Sequence, residues 1–270
     1  MKKIFVYAAV LAFVACVNYN YNYQAKETHA FSATLYDSLQ IDTENGEVQA
    51  WVSTDSLVSM QITKRVSGRD QADAEAHISD ITITTTEDTI HRWLFVKAEM
   101  PSGVGRSYGA DFAVSLPERF GCHFISSNGA INVTGVKGPL TLATSNGEVG
   151  IEDGQGPVVI TTSNGEISAL YHTGGLAATT SNGKINTDIV SLKNNDIVDL
   201  HSSNGEIVLS LPDSISASIE AQTSNGHISA TGFPITIEKL TDTYLKGTIG
   251  SGAATIKLTT SNGNIRIMKR

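Results

Sequence analysis

The chain has 270 residues, 40% of them apolar, with 24 glycines, 6 prolines and 17% charged residues. That apolar share excludes an intrinsically disordered chain, and the length suits one large all-β domain or two small ones. A formal charge of −8, from 19 Lys and Arg against 27 Asp and Glu, argues against electrostatic capture of nucleic acid.

At the N-terminus, Lys2 and Lys3 precede an apolar run from Ile4 to Ala15, too short to span a bilayer and sized for an export signal. The segment Leu11-Ala12-Phe13-Val14-Ala15-Cys16 resembles the bacterial lipobox, whose cysteine is acylated and becomes the new N-terminus. Phe13 departs from the aliphatic residue expected there, and it also spoils an ordinary cleavage after Ala15, which wants small residues at the first and third positions before the cut. The expectation is a signal segment over 1–16, lipidation at Cys16 and a lipoprotein anchored to a membrane of the cell envelope without spanning it. Several acyl chains would hold it, each buried methylene adding about 0.8 kcal/mol; a periplasmic or secreted protein is the alternative. Cys122 then has no partner for a structural disulfide.

Residues 17–30 carry the alternation Asn18-Tyr19-Asn20-Tyr21-Asn22-Tyr23 and are expected as a low-complexity, mobile tether. Period 2 also fits an edge strand, and tyrosines near a lipid anchor would sit at the headgroup level. Residues 31–120 read as an irregular, β-rich N-terminal cap. Strands are expected around Phe31–Asp42, Val48–Val52, Leu57–Arg65, Ile81–Thr86, Ile90–Ala98 and Tyr108–Leu116, with one short alanine-rich helix over Arg69–Ile78. Pro117 ends the last strand and marks entry to the first coil of a repeat. Within the cap, Thr43-Glu44-Asn45-Gly46-Glu47-Val48 stands alone as a weak copy of that repeat.

From 121 to 270 the sequence repeats itself. Ser-Asn-Gly recurs with Asn at 128, 146, 164, 182, 204, 225 and 262. The last gap is wide enough for one degenerate copy, for which Gly250-Ser251-Gly252-Ala253 is the candidate remnant. Four and six residues before each Asn the positions are apolar, as in Phe124, Leu142 and Ile160 or Cys122, Leu140 and Val158; three and five after it they are mostly apolar, as in Ile131 with Val133 and Ile167 with Ala169. This is the strand period on both sides of a turn. Asn-Gly is expected to supply the turn through positive φ. A second glycine-rich turn such as Gly154-Gln155-Gly156 closes each unit.

A hairpin meander or sandwich would satisfy the same parity. What favours a right-handed, single-stranded β-solenoid is like-on-like repetition, above all the Ser or Thr two residues before every Asn (Ser126, Thr144, Thr162, Thr180, Ser202, Thr223, Thr260). Stacked coils would let such hydroxyls satisfy one another coil to coil. The cap would then cover an open sheet end.

The strand Phe112-Ala113-Val114-Ser115-Leu116-Pro117, the repeated Thr-Ser-Asn-Gly-Glu-Ile units and the closing Thr259-Thr260-Ser261-Asn262-Gly263-Asn264-Ile265 resemble a bacterial family of exported "putative adhesin" domains of unknown function, related to the auto-transporter adhesin head. The likeness runs over about residues 31 to 270. It implies an all-β, right-handed solenoid in the envelope and brings no catalytic residues with it.

Chemistry is therefore sought in the outward columns. Two residues after each Asn, Glu148, Glu166, Lys184, Glu206 and His227 form a candidate surface ladder, with Ala130 and Asn264 in the same column. Lys184 interrupts the acids, and calcium would need six to eight oxygens. His123 and His201 lie outward without metal-ligand spacing. No nucleophile elbow, zinc helix or phosphate loop occurs, and the outward Ile125, Ala143, Thr161, Thr179 column is too irregular for an ice-binding face. The expectation is a non-catalytic envelope protein without cofactor or metal that binds a surface polymer or an envelope protein. The alternatives are an accessory in envelope homeostasis or stress signalling and, behind it, a polysaccharide-active β-helix enzyme.

Overall fold

Alternating apolar side chains build the strands, and the computed structural model describes residues 20–102 and 105–270. The N-terminal part contains β1 (Tyr21–Ser32), β2 (Ser38–Thr43), β3 (Val48–Val52), β4 (Leu57–Gly68), α1 (Gln71–His77), β5 (Thr82–Asp88), β6 (Trp93–Glu99) and β7 (Tyr108–Leu116). The stretch expected as a tether is thus a strand from Tyr21 onward. All twelve residues of β1 pair antiparallel with β4. Tyr23 and Phe31 pack against the core, and Glu27 pairs with Lys64 at 2.9 Å. The Asn-Tyr alternation is therefore the half-covered pattern of an edge strand, which composition alone made look like a linker.

The short helix forms within the alanine-rich stretch expected for it, over Gln71–His77. The Asp70 carboxylate accepts from the Asp73 amide at 2.9 Å, the usual way to satisfy an orphan donor at a helix start. Asp73 itself accepts from the Arg69 amide and pairs at 3.0 Å with Arg106, both side chains being nearly buried. Those hydrogen bonds, from Arg69 first, hold its carboxyl well below the usual carboxylate range.

The repeat supplies β8 (Gly121–Ser126), β9 (Ile131–Thr134), β10 (Leu140–Thr144), β11 (Val149–Glu152), β12 (Val158–Thr162), β13 (Ile167–Thr173), β14 (Leu176–Thr180), β15 (Ile185–Ser191), β16 (Ile197–Ser202), β17 (Ile207–Leu211), β18 (Ala217–Thr223) and β19 (Ile228–Thr231). The chain ends with β20 (Thr236–Leu240), β21 (Tyr244–Ile249), β22 (Ala254–Thr260) and β23 (Ile265–Lys269). Each coil gives the strand before Ser-Asn-Gly to one sheet and the strand after it to the other. Like strands then pair in parallel and in register, so that Leu140 lies between Cys122 and Val158. The two inner faces meet in one core in which Phe124, Ile131, Leu142, Val149, Ile160 and Ile167 are at most 1% exposed. This is a two-sheet β-solenoid, not a meander of hairpins. At about 4.8 Å per strand, sheets of 11 and 12 strands give a stack roughly 50 Å long.

Neither end of the stack follows chain order. The sheets run β1-β4-β7-β3-β9-β11-β13-β15-β17-β23-β19 and β20-β21-β18-β22-β16-β14-β12-β10-β8-β2-β6-β5. The isolated copy at Asn45 is consequently a full member of the stack: β2–β3 lies between β6–β7 and β8–β9. The solenoid does not begin at residue 121, and Pro117 does not mark its first coil. At the other end β22–β23 is inserted between β16–β17 and β18–β19. The long gap before Asn262 holds no degenerate coil at Gly250–Ala253; residues 236–249 form the β20–β21 hairpin, which extends one sheet beyond β18.

Candidate functional site

Three internal ladders converge at the Ser-Asn-Gly turns. In stack order the asparagines are 45, 128, 146, 164, 182, 204, 262 and 225, and each Nδ2 donates to the Oδ1 of the one before it at 2.7–2.8 Å. The Ser and Thr hydroxyls do not bond to each other as expected. Each donates to a backbone carbonyl of the preceding coil, as Thr162 does to Gly147 and Thr180 to Gly165. At the N-terminal end Arg65 closes the row: it donates to the Asn45 carbonyl and makes a two-pronged pair with Asp111 at 2.6 and 2.8 Å.

The glycines of the triplets have a different role from the one their turn position suggested. Neither they nor the asparagines have positive φ. A Cβ on Gly165 would instead lie 1.7 Å from the Gly147 carbonyl oxygen, and one on Gly183 would lie 1.8 Å from that of Gly165. Backbones stack there too closely for any side chain. Positive φ belongs to the second turn, at Gly135, Asp153, Gly156 and Gly174.

Beside these ladders runs the outward column. Glu148 and Glu166 are exposed on neighbouring turns, while Glu206 is drawn into two ion pairs, with Lys184 at 3.6 Å and Arg266 at 3.1 Å. His227 is separated from Glu206 by the inserted coil, and its backbone N–H donates to the Asn264 side chain at 2.9 Å. The column is therefore not a continuous acid row, and among the described residues no group of three or more His, Cys, Asp or Glu is placed to hold a metal. Cys122 is buried, and burial pushes its thiol far up. Cys16 lies outside the described residues.

What the sequence reading missed is a groove on the other corner of the coils. It encloses about 570 Å³ and is lined by residues including Pro157, Gly174, Gly175, Lys193, Asp196 and Ile197. Its floor is low because Gly175 stands, in register, between Pro157 and Ile197, the latter 59% exposed. One wall is the turn 192–196, held by the Lys193 amide donating to the Asp196 carboxylate at 2.7 Å. Beneath the glycines lies His172, fully buried, with Nε2 3.2 Å from the Gly175 carbonyl and Nδ1 without a partner among the described residues. Desolvation lowers its pKa. The signal was present in the sequence as the lengthened spacing between Asn182 and Asn204, which makes room for the wall.

Fold and ladders define a two-sheet, parallel β-solenoid whose coils are locked by Asn, Thr and Gly. Residues 120–268 match the model of the family described as Toastrack DUF4097. The chain belongs to that family. Among solved structures it is similar to a "putative adhesin" from Bacteroides fragilis at 15% identity, covering 91% of this chain and 97% of that one with a TM-score of 0.46. A "putative cell adhesion protein" from Clostridium sporogenes is similar at 15% identity, covering 92% and 100%, with a TM-score of 0.39. A "putative lipid binding protein" from Parabacteroides distasonis is similar at 12% identity over 91% and 96%, with a TM-score of 0.32. These likenesses are distant. No curated protein matches the chain. No helix among the described residues is long and apolar enough to cross a membrane.

Proposed function

We propose that the chain is a non-catalytic protein of the bacterial cell envelope, tethered through an acylated Cys16, which binds a surface polymer or an envelope protein along the outer face of its solenoid. The observation that supports this reading is how the repeat uses its polar groups. Asn amides, Ser and Thr hydroxyls and Gly carbonyls are engaged from coil to coil, so the repeated residues build a rigid scaffold. A partner meets the outward side chains and the open groove between Pro157 and Ile197. A preordered face loses little conformational entropy on binding, which suits an extended ligand.

The test uses the full chain against a panel of envelope polysaccharides and an envelope-protein pulldown. Ala177→Trp fills the groove from the outward side of β14 without entering the core, and is expected to weaken binding at least tenfold at unchanged melting temperature. Polymer cleavage that disappears in the Glu148→Gln, Glu166→Gln double variant would overturn the non-catalytic reading. Cys16→Ser is expected to release the protein from the membrane fraction; unchanged fractionation and processing would refute the anchor.

A further inference from the structure

Every slot between coils offers the same recognition surface: an Asn side chain, a Gly carbonyl and two parallel strand edges in one register. The C-terminal coil β22–β23 fills such a slot out of sequence, having doubled back from the tip through β20–β21. Its two sides are equivalent. Val198, Leu200 and Ser202 face Ile256, Leu258 and Thr260, which face Ile219, Ala221 and Thr223 in the same order. In the other sheet Ile207 and Leu209 face Ile265 and Ile267, which face Ile228 and Ala230.

Coil β18–β19 therefore matches β16–β17 directly, with Asn225 in line for Asn204 as Asn262 now is. Nothing in the connection holds the slot open either. The five residues 212–216 that join β17 to β18 bridge two coil steps, about 9.6 Å, while the five residues 153–157 that join β11 to β12 bridge one. The segment in the slot is selected by the ladders and by the ion pairs of Arg266 with Glu206, Lys269 with Asp213 and Arg270 with Asp188, and every copy of the chain carries the same groups.

We propose that the slot between β16–β17 and β18–β19 accepts β22–β23 from a second copy of this chain as well as its own, so that the protein forms coil-exchanged dimers. The exchange is reciprocal, and the contacts it gives up are those of the hinge turn, where Ser251 and Ala253 bond to Ser216. Each donated coil remakes the Asn262–Asn204 and Thr260–Gly205 hydrogen bonds and the pair of Arg270 with Asp188 in its new host. The turn 250–253, with φ of 60° and 71° at Gly250 and Gly252, is where the chain crosses over. Because Ile256, Leu258, Ile265 and Ile267 are all at most 1% exposed, exchange belongs to folding, before the slot closes, and not to the finished molecule.

The experiment uses full-length chains with Cys16→Ser, leaving buried Cys122 as the only other thiol. One copy carries His201→Cys and the other Thr259→Cys, outward residues that are register neighbours in β16 and β22 and within disulfide reach of adjacent strands. The two are denatured, mixed, refolded and oxidised. The expected result is a disulfide-linked species of doubled mass, with none when His201→Cys is refolded with Thr161→Cys, which lies outside the slot. A chain carrying both His201→Cys and Thr259→Cys is expected to close internally. An absent interchain link beside a closed double variant would overturn exchange. A double variant that fails to close would overturn the register on which exchange rests, and equal linking through Thr161→Cys would show random contact only.

Discussion

Replacing Gly165 separates close packing from turn conformation as the reason for the Asn-Gly pairs. A Cβ on Gly165 would sit 1.7 Å from the Gly147 oxygen, where real contacts are essentially never under 3.0 Å, so the coils must part locally by more than about 1 Å. That separation disrupts the Thr162 bond to the Gly147 carbonyl at 3.0 Å and strains the neighbouring backbone bonds of Asn164 to Ser145 and Val149 to Glu166. The lost bond and the two weakened ones, together about 2 kcal/mol, plus about 1–3 kcal/mol for leaving a buried carbonyl unpaired, place Gly165→Ala at about 3–5 kcal/mol. Gly165→Asn is expected to be at least as damaging. Were positive φ the requirement, Asn would be the tolerated residue, since it visits that region readily. The assay is equilibrium urea unfolding of the full chain, read by circular dichroism. An Ala variant within 1 kcal/mol of the unsubstituted protein, or an Asn variant clearly better than Ala, would refute the close-packing argument.

Ile167→Asp, on the inner face of β13, is expected to destabilise by more than about 3 kcal/mol because it buries an unpaired charge, while Glu166→Ala beside it changes urea unfolding by less than 0.5 kcal/mol. Cys122 is expected to resist thiol reagents in the folded protein and to react only on unfolding; rapid native labelling would mean that β8 is out of register. Asp73, whose folded pKa is depressed, contributes stability above its unfolded value of about 3.9, and that contribution is lost as pH falls through the folded value. Asp73→Asn should therefore lower stability at neutral pH and flatten the acid limb of a stability–pH curve; an unchanged acid limb would remove Asp73 as its cause. His172 works the other way. With its folded pKa lowered by desolvation, stability should fall as pH drops below about 6.5, the unfolded value, until the folded value is reached. His172→Leu should abolish that slope, and a slope retained in the variant would assign it to another group.

The repeat was legible because each coil restates one local rule. Inward columns such as Leu140, Val158 and Leu176 recur at fixed distance from the Asn, and period 2 then decides which side chains are buried. The role of the glycines was not legible, since Gly165 next to Asn164 has the same spelling in a positive-φ turn and in a crowded stack. Only the height of the neighbouring backbone tells them apart. The groove was hidden for a related reason: Gly175 makes a floor only because Pro157 and Ile197 stand on either side of it in register, and the repeat fixes that register only on the Asn side of each coil.

Both ends of the molecule were illegible, and for one physical reason. Parallel pairing of identical coils carries no record of chain order, because a slot tests only register, hydroxyl and amide. Asn45 precedes its neighbour Asn128 by 83 residues and Asn262 follows its neighbour Asn204 by 58, yet both make the 2.7 Å bond that Asn182 makes to Asn164 in consecutive coils. Sequence reading assigns neighbours by proximity, so it cast the copy at Asn45 as an orphan and the gap before Asn262 as a lost coil. The outermost coils, β6–β7 and β18–β19, are instead followed outward by the antiparallel strands β4 and β1, β5, and β21 and β20. On β6, β7 and β18 antiparallel strands lie where a further coil would otherwise pair, which limits growth of the stack along those edges. β19, where its sheet ends, keeps an open edge. A coil that any matching slot accepts is held in its own molecule by the order of folding more than by specificity of contact, and that is the condition under which a second copy competes for it.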